Sequence, residues 1–489
     1  MDSDVSPRSS ADDRASDQRW GTDDLAFATI EDVGARVRAK SLSPVELTKK
    51  MLDRIAAVDG PLKSYQHVMA ETAMAEARAA EAEIGRGEIR GPLHGVPLAV
   101  KDLCWTADAP TLAGMAINRT FAAPEDGTVV RRLREAGAVI LGKLAMTEGA
   151  YAGYHPEMPV PVNPWDPGIW PGASSSGSGV ATAAGLCYGS IGSDTGGSIR
   201  FPSAANGITG LKPTWGRVSR YGSFDLGPTL DHLGPMTRSA ADAALMLQVI
   251  AGVDPNDPTT LQVPVPDFAA GLHSGLRGLK IGLAPAFVAL GADADTLRVL
   301  DETTATLRSL GAEFIEIDFP DAAQMLTDWF PQCAVETAVV HEATYPSRKS
   351  DYGEGLAGFI DLAAGVTATD MQKMALRRHA FRGRVSALFE HVDVLLLPVQ
   401  GIAAPSMKVF DTLALDERLM NDLLRFSCIF DLTGHPVLTV PAGFTAATQP
   451  IGMQLVGRHL DEATVLRVGH AFQQASAWHE RRPLLEAAA

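Results

Sequence analysis

A glycine-rich tract from Gly189 to Arg200 has a composition that suits the stabilisation of a developing negative charge. It contains Gly196-Gly197-Ser198, and two consecutive glycines let the backbone approach a ligand closely and turn several N–H groups toward one point. Fixed N–H donors of this kind stabilise the oxyanion of a tetrahedral intermediate. A tight turn after a strand would have the same pattern, so this tract alone leaves both interpretations open.

A second unusual run, Pro171 to Gly179, is dominated by serine and glycine. It is not a phosphate-binding loop, because Ser178 stands where that motif requires lysine. The dinucleotide fingerprint fails at Thr182, and no acidic residue follows at the distance needed to bind a ribose. The run lies between apolar segments and precedes the helical pattern of residues 180–184, which disfavours a flexible linker.

Lys101 is the candidate base for a serine in these tracts. It directly follows the apolar segment Pro97-Leu98-Ala99-Val100, which predicts a buried strand. Burial lowers the pKa of a lysine, and a neutral amine can act as a general base. A surface lysine at the end of a strand would have the same local sequence. The G-x-S-x-G and H-E-x-x-H motifs are absent, which disfavours an α/β-hydrolase triad and a zinc hydrolase, and we expect no metal site.

The charge balance narrows the classes of partner. The 489 residues carry a formal net charge of −16, which disfavours direct binding to nucleic acid and to anionic lipid. The four cysteines form no C-x-x-C pair, and the sequence has neither a long apolar run nor a secretory signal. We therefore expect a cytoplasmic protein that does not bind a membrane. The polar residues 1–25 are predicted to form a disordered tail.

Alternating helical and strand patterns must position the candidate residues. Ser43-Pro44-Val45-Glu46 predicts a capped helix start, and the Ala- and Glu-rich segment 69–84 predicts a second helix. Further on, strand and helix patterns alternate, which predicts an α/β sheet covered by helices. Strands are expected at 97–100, 138–141, 279–283, 313–319, 392–397, 437–440 and 451–456, and helices at 128–136, 240–250 and 295–310.

The three stretches, in this order, resemble the signature motifs of the amidase signature family. They read GVPLAVKD at 95–102, then the serine run, then GSDTGGSIR at 192–200. Further similar pieces are GAVILGK at 137–143, NPWD at 163–166, TGHP at 433–436 and PIGMQLVG at 450–457. The resemblance spans about residues 26 to 483 and is closest to free-standing amidases, aryl acylamidases and urethanases.

The resemblance implies the architecture of the whole chain. It implies one large α/β domain over residues 26–489, with a central mixed β-sheet wrapped by helices. Residues 91–260 would form the signature core, and residues 320–425 a variable, cap-like substrate region. This expectation overrules the three domains that chain length alone suggests.

The resemblance also implies a Ser–cis-Ser–Lys triad. Ser198 would be the nucleophile, Ser174 the bridging serine after a cis Ala173–Ser174 bond, and Lys101 the base. The N–H groups of Thr195, Gly196, Gly197 and Ser198 would form the oxyanion hole. The family's run is G-G-S-S-G-G-S, whereas this chain has G-A-S-S-S-G-S, so the choice between Ser174 and Ser175 stays open. Asp194 and Arg200 flank the nucleophile, and we expect them to pair and stiffen the loop.

The implied activity is hydrolysis of the C–N bond of a small, largely apolar amide through an acyl-enzyme, with anilides, carbamates and esters as related substrates. An alternative is the glutaminase component of a tRNA-dependent amidotransferase, and a third is a binding module without catalysis, which the complete triad disfavours. No cofactor is expected, and a monomer and a homodimer both remain possible. The candidate substrate-binding residues are Tyr154, His155, Ser175, Ser176 and Trp329, with Phe330, Tyr345 and Tyr352 as further aromatic candidates.

Overall fold

A computed structural model describes residues 25–408 and 417–485 of the chain, which fold around one sheet. The strands of this sheet are β1 (Tyr65–Val68), β2 (Pro97–Lys101), β3 (Val139–Leu144), β4 (Gly189–Asp194), β5 (Thr209–Lys212), β6 (His232–Thr237), β7 (Lys280–Leu283), β8 (Glu313–Glu316), β9 (Val394–Pro398), β10 (Val437–Phe444) and β11 (Pro450–Gly457). Their order across the sheet is β1-β3-β2-β4-β6-β5-β10-β11-β9-β7-β8.

The sheet is mixed. Strand β2 is parallel to both of its neighbours, β3 and β4, and β7 is parallel to β8 and β9. The pairs between β4 and β9 along the sheet are antiparallel. The single-domain α/β fold with a large mixed sheet is therefore confirmed, while the predicted tail at 1–25 lies outside the described residues except for Leu25.

Helices cover the sheet. They are α1 (Ile30–Arg38), α2 (Pro44–Leu62), α3 (Ala70–Gly85), α4 (Thr128–Glu135), α5 (Ser176–Ala183), α6 (Arg200–Asn206), α7 (Ala240–Ile250), α8 (Pro285–Val288), α9 (Ala294–Ser309), α10 (Ala323–Val340), α11 (Glu354–Asp361), α12 (Ala368–Leu388), α13 (Glu417–Leu424), α14 (Cys428–Thr433) and α15 (Glu462–Ala475). Short 3-10 helices occur at Ala116–Asn118, Glu148–Ala150, Lys349–Asp351, Leu362–Gly365 and Trp478–Glu480.

The predicted start of α2 illustrates how local chemistry fixes an element. The Ser43 hydroxyl accepts a hydrogen bond from the Glu46 N–H at 3.1 Å, and Pro44 occupies the first helical position. A serine cap satisfies a donor that the first helical turn leaves unpaired, and proline there removes another such donor.

Strand β4 is absent from the sequence-based prediction because its sequence, Gly-Ser-Ile-Gly-Ser-Asp, has few residues with strand preference. The structure gives a reason for its glycines. A Cβ atom at Gly189 would lie 2.6 Å from the Met246 sulfur, and one at Gly192 would lie 2.5 Å from the Met236 sulfur. Neighbouring methionines therefore occupy the space that larger side chains would need. Strand β4 pairs with β2 and brings its own end beside the end of β2.

Candidate active site

Lys101 is the last residue of β2 and is fully buried. Its amine lies 2.6 Å from the Ser174 hydroxyl and donates a second hydrogen bond to the Ser193 hydroxyl at 2.8 Å. Burial lowers the pKa of Lys101 from 10.5 to about 7, although the nearby Cys104 and two aspartates act in the opposite direction. Such an amine is available in its neutral form near neutral pH and can accept a proton.

The structure separates the two candidate bridging serines. Ser174 contacts Lys101 directly, whereas the Ser175 hydroxyl donates to the Ser193 carbonyl at 3.1 Å and accepts from the Ser193 N–H at 3.2 Å. The Ala173–Ser174 peptide bond is cis, as the family resemblance implies. Of these two serines, Ser174 is therefore the one whose hydroxyl can exchange a proton with Lys101.

Ser198 lies on the turn between β4 and α6. It is more exposed than Ser174 and Ser175, which are both buried. Within residues 25–408 and 417–485, the Ser198 hydroxyl has no hydrogen-bond partner, and the residue lines a cavity. Of Ser174, Ser175 and Ser198, Ser198 is the one that lines the cavity, so its side chain is the one that a bound molecule can reach.

The carbonyl groups of residues 195–198 all accept hydrogen bonds from other parts of the fold. The donors are Trp329 Nε1 to Thr195 at 3.0 Å, Ser427 Oγ to Gly196 at 2.7 Å, the Phe201 N–H to Gly197 at 2.7 Å and the Ser175 N–H to Ser198 at 3.3 Å. In the described part of the chain, none of the four N–H groups of residues 195–198 has an acceptor. The tract thus holds its carbonyls in place and leaves consecutive N–H donors available.

Both glycines of this tract are required by their surroundings. A Cβ atom at Gly196 would lie 2.6 Å from the Trp329 ring. Gly197 has φ +139°, a conformation that favours glycine, and a Cβ atom there would lie 2.3 Å from the Phe201 ring. At these two positions, the free N–H groups can therefore be presented only by residues without a side chain.

A buried network of charges fixes the end of β4 to the start of α6. The Arg200 guanidinium contacts Asp194 at 2.9 Å and Asp431 at 2.6 Å, which confirms the expected Asp194–Arg200 pair. Asp194 also accepts the Ile199 N–H at 3.0 Å. Burial opposes ionisation of Asp194, but Arg200 holds the pKa of that carboxyl well below its usual range. Asp431 was not foreseen, because no local sequence signal links α14 to Arg200.

The cavity beside Ser198 is small and mostly apolar, with a volume of about 70 Å³. Its lining consists of Ala150, Tyr151, Ala152, Trp170, Ala173, Thr195, Gly196, Ser198, Phe201, Leu226, Trp329, Phe330, Met420, Leu423 and Leu424. No charged side chain is among these described residues. A bound group would therefore be held mainly by aromatic and aliphatic contacts.

The predicted substrate-binding residues are divided by the structure. Trp329 and Phe330 line the cavity. Four others lie outside its lining: Ser175 bonds the backbone of Ser193, the Tyr154 hydroxyl donates to Ser176 at 2.9 Å, and the His155 ring accepts the Glu157 N–H at 3.1 Å. Tyr345 and Tyr352 pack in a separate hydrophobic cluster with Met115, Ile117 and Leu356.

Several cavity residues were missed by sequence reasoning. Met420, Leu423 and Leu424 follow a helical spacing of three and four, which could have indicated a buried helix face but not its location at the site. Ser193 lies within the glycine-rich tract and has no predicted role, although it contacts Lys101. Its position one residue before the end of β4 becomes informative only when β4 is recognised as a strand beside β2.

Two further observations concern the described residues as a whole. No group of three or more His, Cys, Asp or Glu side chains in residues 25–408 and 417–485 is arranged to hold a metal ion. Every helix in the same residues is either too short or too polar to cross a lipid bilayer. The four cysteines, Cys104, Cys187, Cys333 and Cys428, are free and buried.

Comparison with known proteins identifies close relatives. The sequence profile of the Amidase family matches residues 46–466. A Mycobacterium tuberculosis protein named "Putative amidase AmiD" is 48% identical over 471 residues, which cover 96% of this chain and 99% of that protein. One component of the glutamyl-tRNA(Gln) amidotransferase of Geobacter metallireducens is 39% identical over 487 residues, which cover 94% of this chain and 99% of that protein.

A solved structure extends the similarity to the fold. A bacterial aryl acylamidase, described as belonging to the amidase signature enzymes, superimposes with a TM-score of 0.83 at 25% identity, covering 93% of this chain and 97% of that chain. The matches in sequence span the helices and strands that carry Lys101, Ser174 and Ser198. The chain therefore belongs to the amidase signature family and is a hydrolase that acts on amides.

Proposed function

We propose that this amidase cleaves the C–N bond of small, largely apolar amides through an acyl-enzyme on Ser198. The observation that carries the proposal is the position of the Ser198 hydroxyl. Ser198 lines an apolar cavity and lies in a tract of unpaired N–H donors. Its carbonyl accepts the N–H of Ser175 at 3.3 Å, and Ser175 directly follows the serine that contacts the buried Lys101. Nucleophile, relay, base and oxyanion donors are the parts that acyl transfer requires.

The proposed reaction begins with proton transfer. Neutral Lys101 accepts the proton of the Ser174 hydroxyl as Ser174 takes the proton of Ser198, since a hydroxyl is both donor and acceptor. The Ser198 oxygen forms a bond to the amide carbon, and the carbonyl π electrons move to the oxygen. The N–H groups of residues 195–198 hold this oxyanion.

Collapse of the intermediate breaks the C–N bond and leaves an acyl ester on Ser198. The proton returns from Lys101 through Ser174 to the leaving nitrogen, so the amine departs neutral. A water molecule then attacks the ester by the same relay and releases the carboxylic acid. The buried Lys101 amine, with its pKa lowered to about 7, suits both directions of transfer.

The apolar lining supports the substrate class. Trp329, Phe330 and Met420 can contact an aryl or acyl group, and a related fold belongs to an aryl acylamidase. Because an acyl-enzyme tolerates different leaving groups, we extend the proposal to anilides, carbamates (urethanes) and esters. We also keep a cytoplasmic location as part of the proposal, in line with four free thiols.

The alternative is the glutaminase component of a tRNA-dependent amidotransferase, and it has one specific observation in its favour, the 39% identity to a protein of such an enzyme. Glutamine carries an ammonium and a carboxylate group, and both need polar or charged partners when they leave water. Among the residues that the structure describes, those that line the cavity include no charged side chain. The geometry therefore favours the apolar amide.

The test combines a covalent probe with a substrate panel. A fluorophosphonate probe should label the wild type and not Ser198→Ala. Ser203→Ala is the matched control and should leave labelling unchanged. The buried Ser203 hydroxyl donates at 2.7 Å to the carbonyl of Ile199, the residue just before its own helix α6. Absence of wild-type labelling, or equal labelling of Ser198→Ala, would overturn the assignment of the nucleophile.

The panel contains aliphatic amides, anilides, carbamates, esters and glutamine. We expect the highest kcat/KM for apolar acyl groups and the lowest for glutamine. A preference for glutamine would overturn the proposed substrate class and favour the amidotransferase component instead.

A further inference from the structure

We propose that Trp329 and Ser427 are positioning residues that set the direction of the oxyanion donors by holding the carbonyl groups of the same peptide planes. The proposal rests on the proposed function, because it concerns the donors used in that reaction. Neither residue needs to touch the reacting atoms through these bonds. Trp329 Nε1 donates to the Thr195 carbonyl at 3.0 Å, and the Ser427 hydroxyl donates to the Gly196 carbonyl at 2.7 Å.

Peptide planarity turns these carbonyl contacts into control of the N–H groups. The C=O of one residue and the N–H of the next lie in one plane and point in opposite directions. The bond from Trp329 therefore fixes the N–H of Gly196, and the bond from Ser427 fixes the N–H of Gly197. Each N–H then points away from the side chain that holds its carbonyl.

The next plane does not need an external side chain. The Gly197 carbonyl accepts the Phe201 N–H at 2.7 Å, a contact with the first turn of α6, and this fixes the N–H of Ser198. The two earlier planes involve Gly196 and Gly197, whose backbones have the widest conformational freedom. The two external donors therefore act where the backbone has the least intrinsic preference for one orientation.

Packing strengthens the role of Trp329. Its side chain is buried, and its ring lies so close to Gly196 that a Cβ atom there would be 2.6 Å from it. Ser427 is fully buried, and its own carbonyl accepts a hydrogen bond from the Arg200 guanidinium at 2.8 Å. Both donors are thus held in place by contacts other than their bonds to the tract.

The location of Trp329 links the orientation of the oxyanion donors to the choice of substrate. Trp329 belongs to α10, within the region predicted to set specificity, and its side chain also lines the cavity. An acyl group that packs on the indole therefore contacts the same side chain that fixes the Gly196 N–H. Fit of the substrate and orientation of an oxyanion donor become linked through one residue.

The experiment distinguishes the hydrogen bonds that orient the oxyanion donors from the contact that Trp329 makes with the substrate as part of the cavity wall. Trp329→Phe keeps an aromatic ring and removes the N–H, and Ser427→Ala removes the hydroxyl. For each variant we would measure kcat and KM with an apolar anilide. We would also measure the affinity for an aryl trifluoromethyl ketone, which forms a tetrahedral adduct with a serine, and for the product carboxylic acid, which does not.

We expect each variant to lose about 10- to 100-fold in kcat and in affinity for the ketone, somewhat less than deletion of a donor itself, with less than about a threefold change for the product acid. Phe330→Leu is the matched control for the wall. Phe330 lines the same cavity and packs edge-on against Trp329 with ring centroids 5.0 Å apart. It should change KM and both affinities in parallel.

Ser203→Ala is the matched control for loss of a buried hydroxyl. It should change neither kcat nor the affinity for the ketone relative to that for the product acid. Equal losses for ketone and product acid in both Trp329→Phe and Ser427→Ala would overturn the inference and leave Trp329 as a wall residue. Labelling of wild-type Ser198 by the fluorophosphonate probe is measured in parallel. Absence of this labelling would overturn the proposed function. If labelling occurs but neither variant changes the affinity for the ketone relative to that for the product acid, this inference alone is overturned.

Discussion

Residues 91–260 and the described part of residues 320–425 both line the cavity and contribute different chemistry to it. Residues 91–260, the predicted signature core, contain Lys101, Ser174 and Ser198. The described part of residues 320–425 contributes five aromatic and aliphatic side chains to the same cavity. Under the proposed function, residues 91–260 would carry out the reaction, and the described part of residues 320–425 would mainly select the substrate.

The two regions should differ in how well they tolerate substitutions. A buried polar group that loses its partner retains the full cost of desolvation, so the core should tolerate few changes. An apolar wall tolerates substitutions of similar size, and a missing methylene in a hydrophobic pocket changes discrimination by about 1–3 kcal/mol.

The largest effect is expected at Lys101. Lys101→Met removes the proposed base, and we expect kcat/KM to fall by at least about 10³-fold on every member of the substrate panel. The loss should be uniform, because the base acts on the reaction and not on the acyl group. A loss confined to some substrates would contradict the assignment of Lys101 to the core chemistry.

The next effect is on stability. Arg200→Ala leaves the buried carboxyl groups of Asp194 and Asp431 without their cation, and we expect the free energy of unfolding to fall by about 3–5 kcal/mol. Urea denaturation measures the change. Arg131→Ala is the matched control, since Arg131 pairs with Glu135 at 2.9 Å on the exposed side of α4. A comparable loss in both variants would show that burial of the network is not what matters.

The third prediction concerns pH. The proposed base must be neutral, and burial lowers the pKa of Lys101 to about 7, so kcat/KM should rise about tenfold per pH unit up to about pH 7 and then level off. Between pH 7 and 10.5, Lys101 binds more protons in the unfolded chain than in the folded one. The cost of burying Lys101 should therefore shrink, and the free energy of unfolding should rise, as the pH increases through that window.

Asp231 provides the control for the pH profile. Burial raises its pKa to about 7, and it accepts a hydrogen bond from the Thr195 hydroxyl at 2.6 Å. In Asp231→Asn the acidic limb should remain and move to lower pH, because the charge that favours protonated Lys101 is gone. Loss of the limb would assign it to Asp231, and a limb near pH 10 would contradict a depressed lysine.

The smallest effect is expected in the apolar region. Met420→Ala should enlarge the cavity, raise KM for short acyl groups by up to about tenfold and improve the relative kcat/KM of longer ones, with kcat nearly unchanged. Kinetics with anilides of increasing acyl length measure the shift. Leu376→Ala is the matched control, because Leu376 is 59% exposed on α12. A large loss of kcat in Met420→Ala would erase the contrast between the regions.

The two regions also differ in how far the sequence predicts them. Lys101 and Ser198 stand in short, dense motifs, so local pattern and family resemblance together suffice to select them. The three helices α10, α11 and α12 have no such motif, and residues 320–390 show no regular pattern. Trp329 could be chosen as an aromatic candidate, but its bond to Thr195 depends on packing between segments far apart in the chain.

The same distinction holds inside the core. The Asp194–Arg200 pair was predictable because the residues lie close in sequence, whereas Asp431 joins them only after α14 packs against α6. Ser193 becomes recognisable once β4 is seen to run beside β2. Local chemistry therefore predicts which groups react, and tertiary packing determines which groups hold them.

The four carbonyl contacts of residues 195–198 have a consequence for how activity arises during folding. Their donors come from α10, from the segment before α14, from α6 and from the segment before α5. A chain in which either of the two distant segments has not yet docked possesses the serine without its aligned amides. Hydrolytic activity should therefore appear last during folding. In mild denaturant it should be lost before the sheet unfolds, so that turnover reports whether the chain is completely folded.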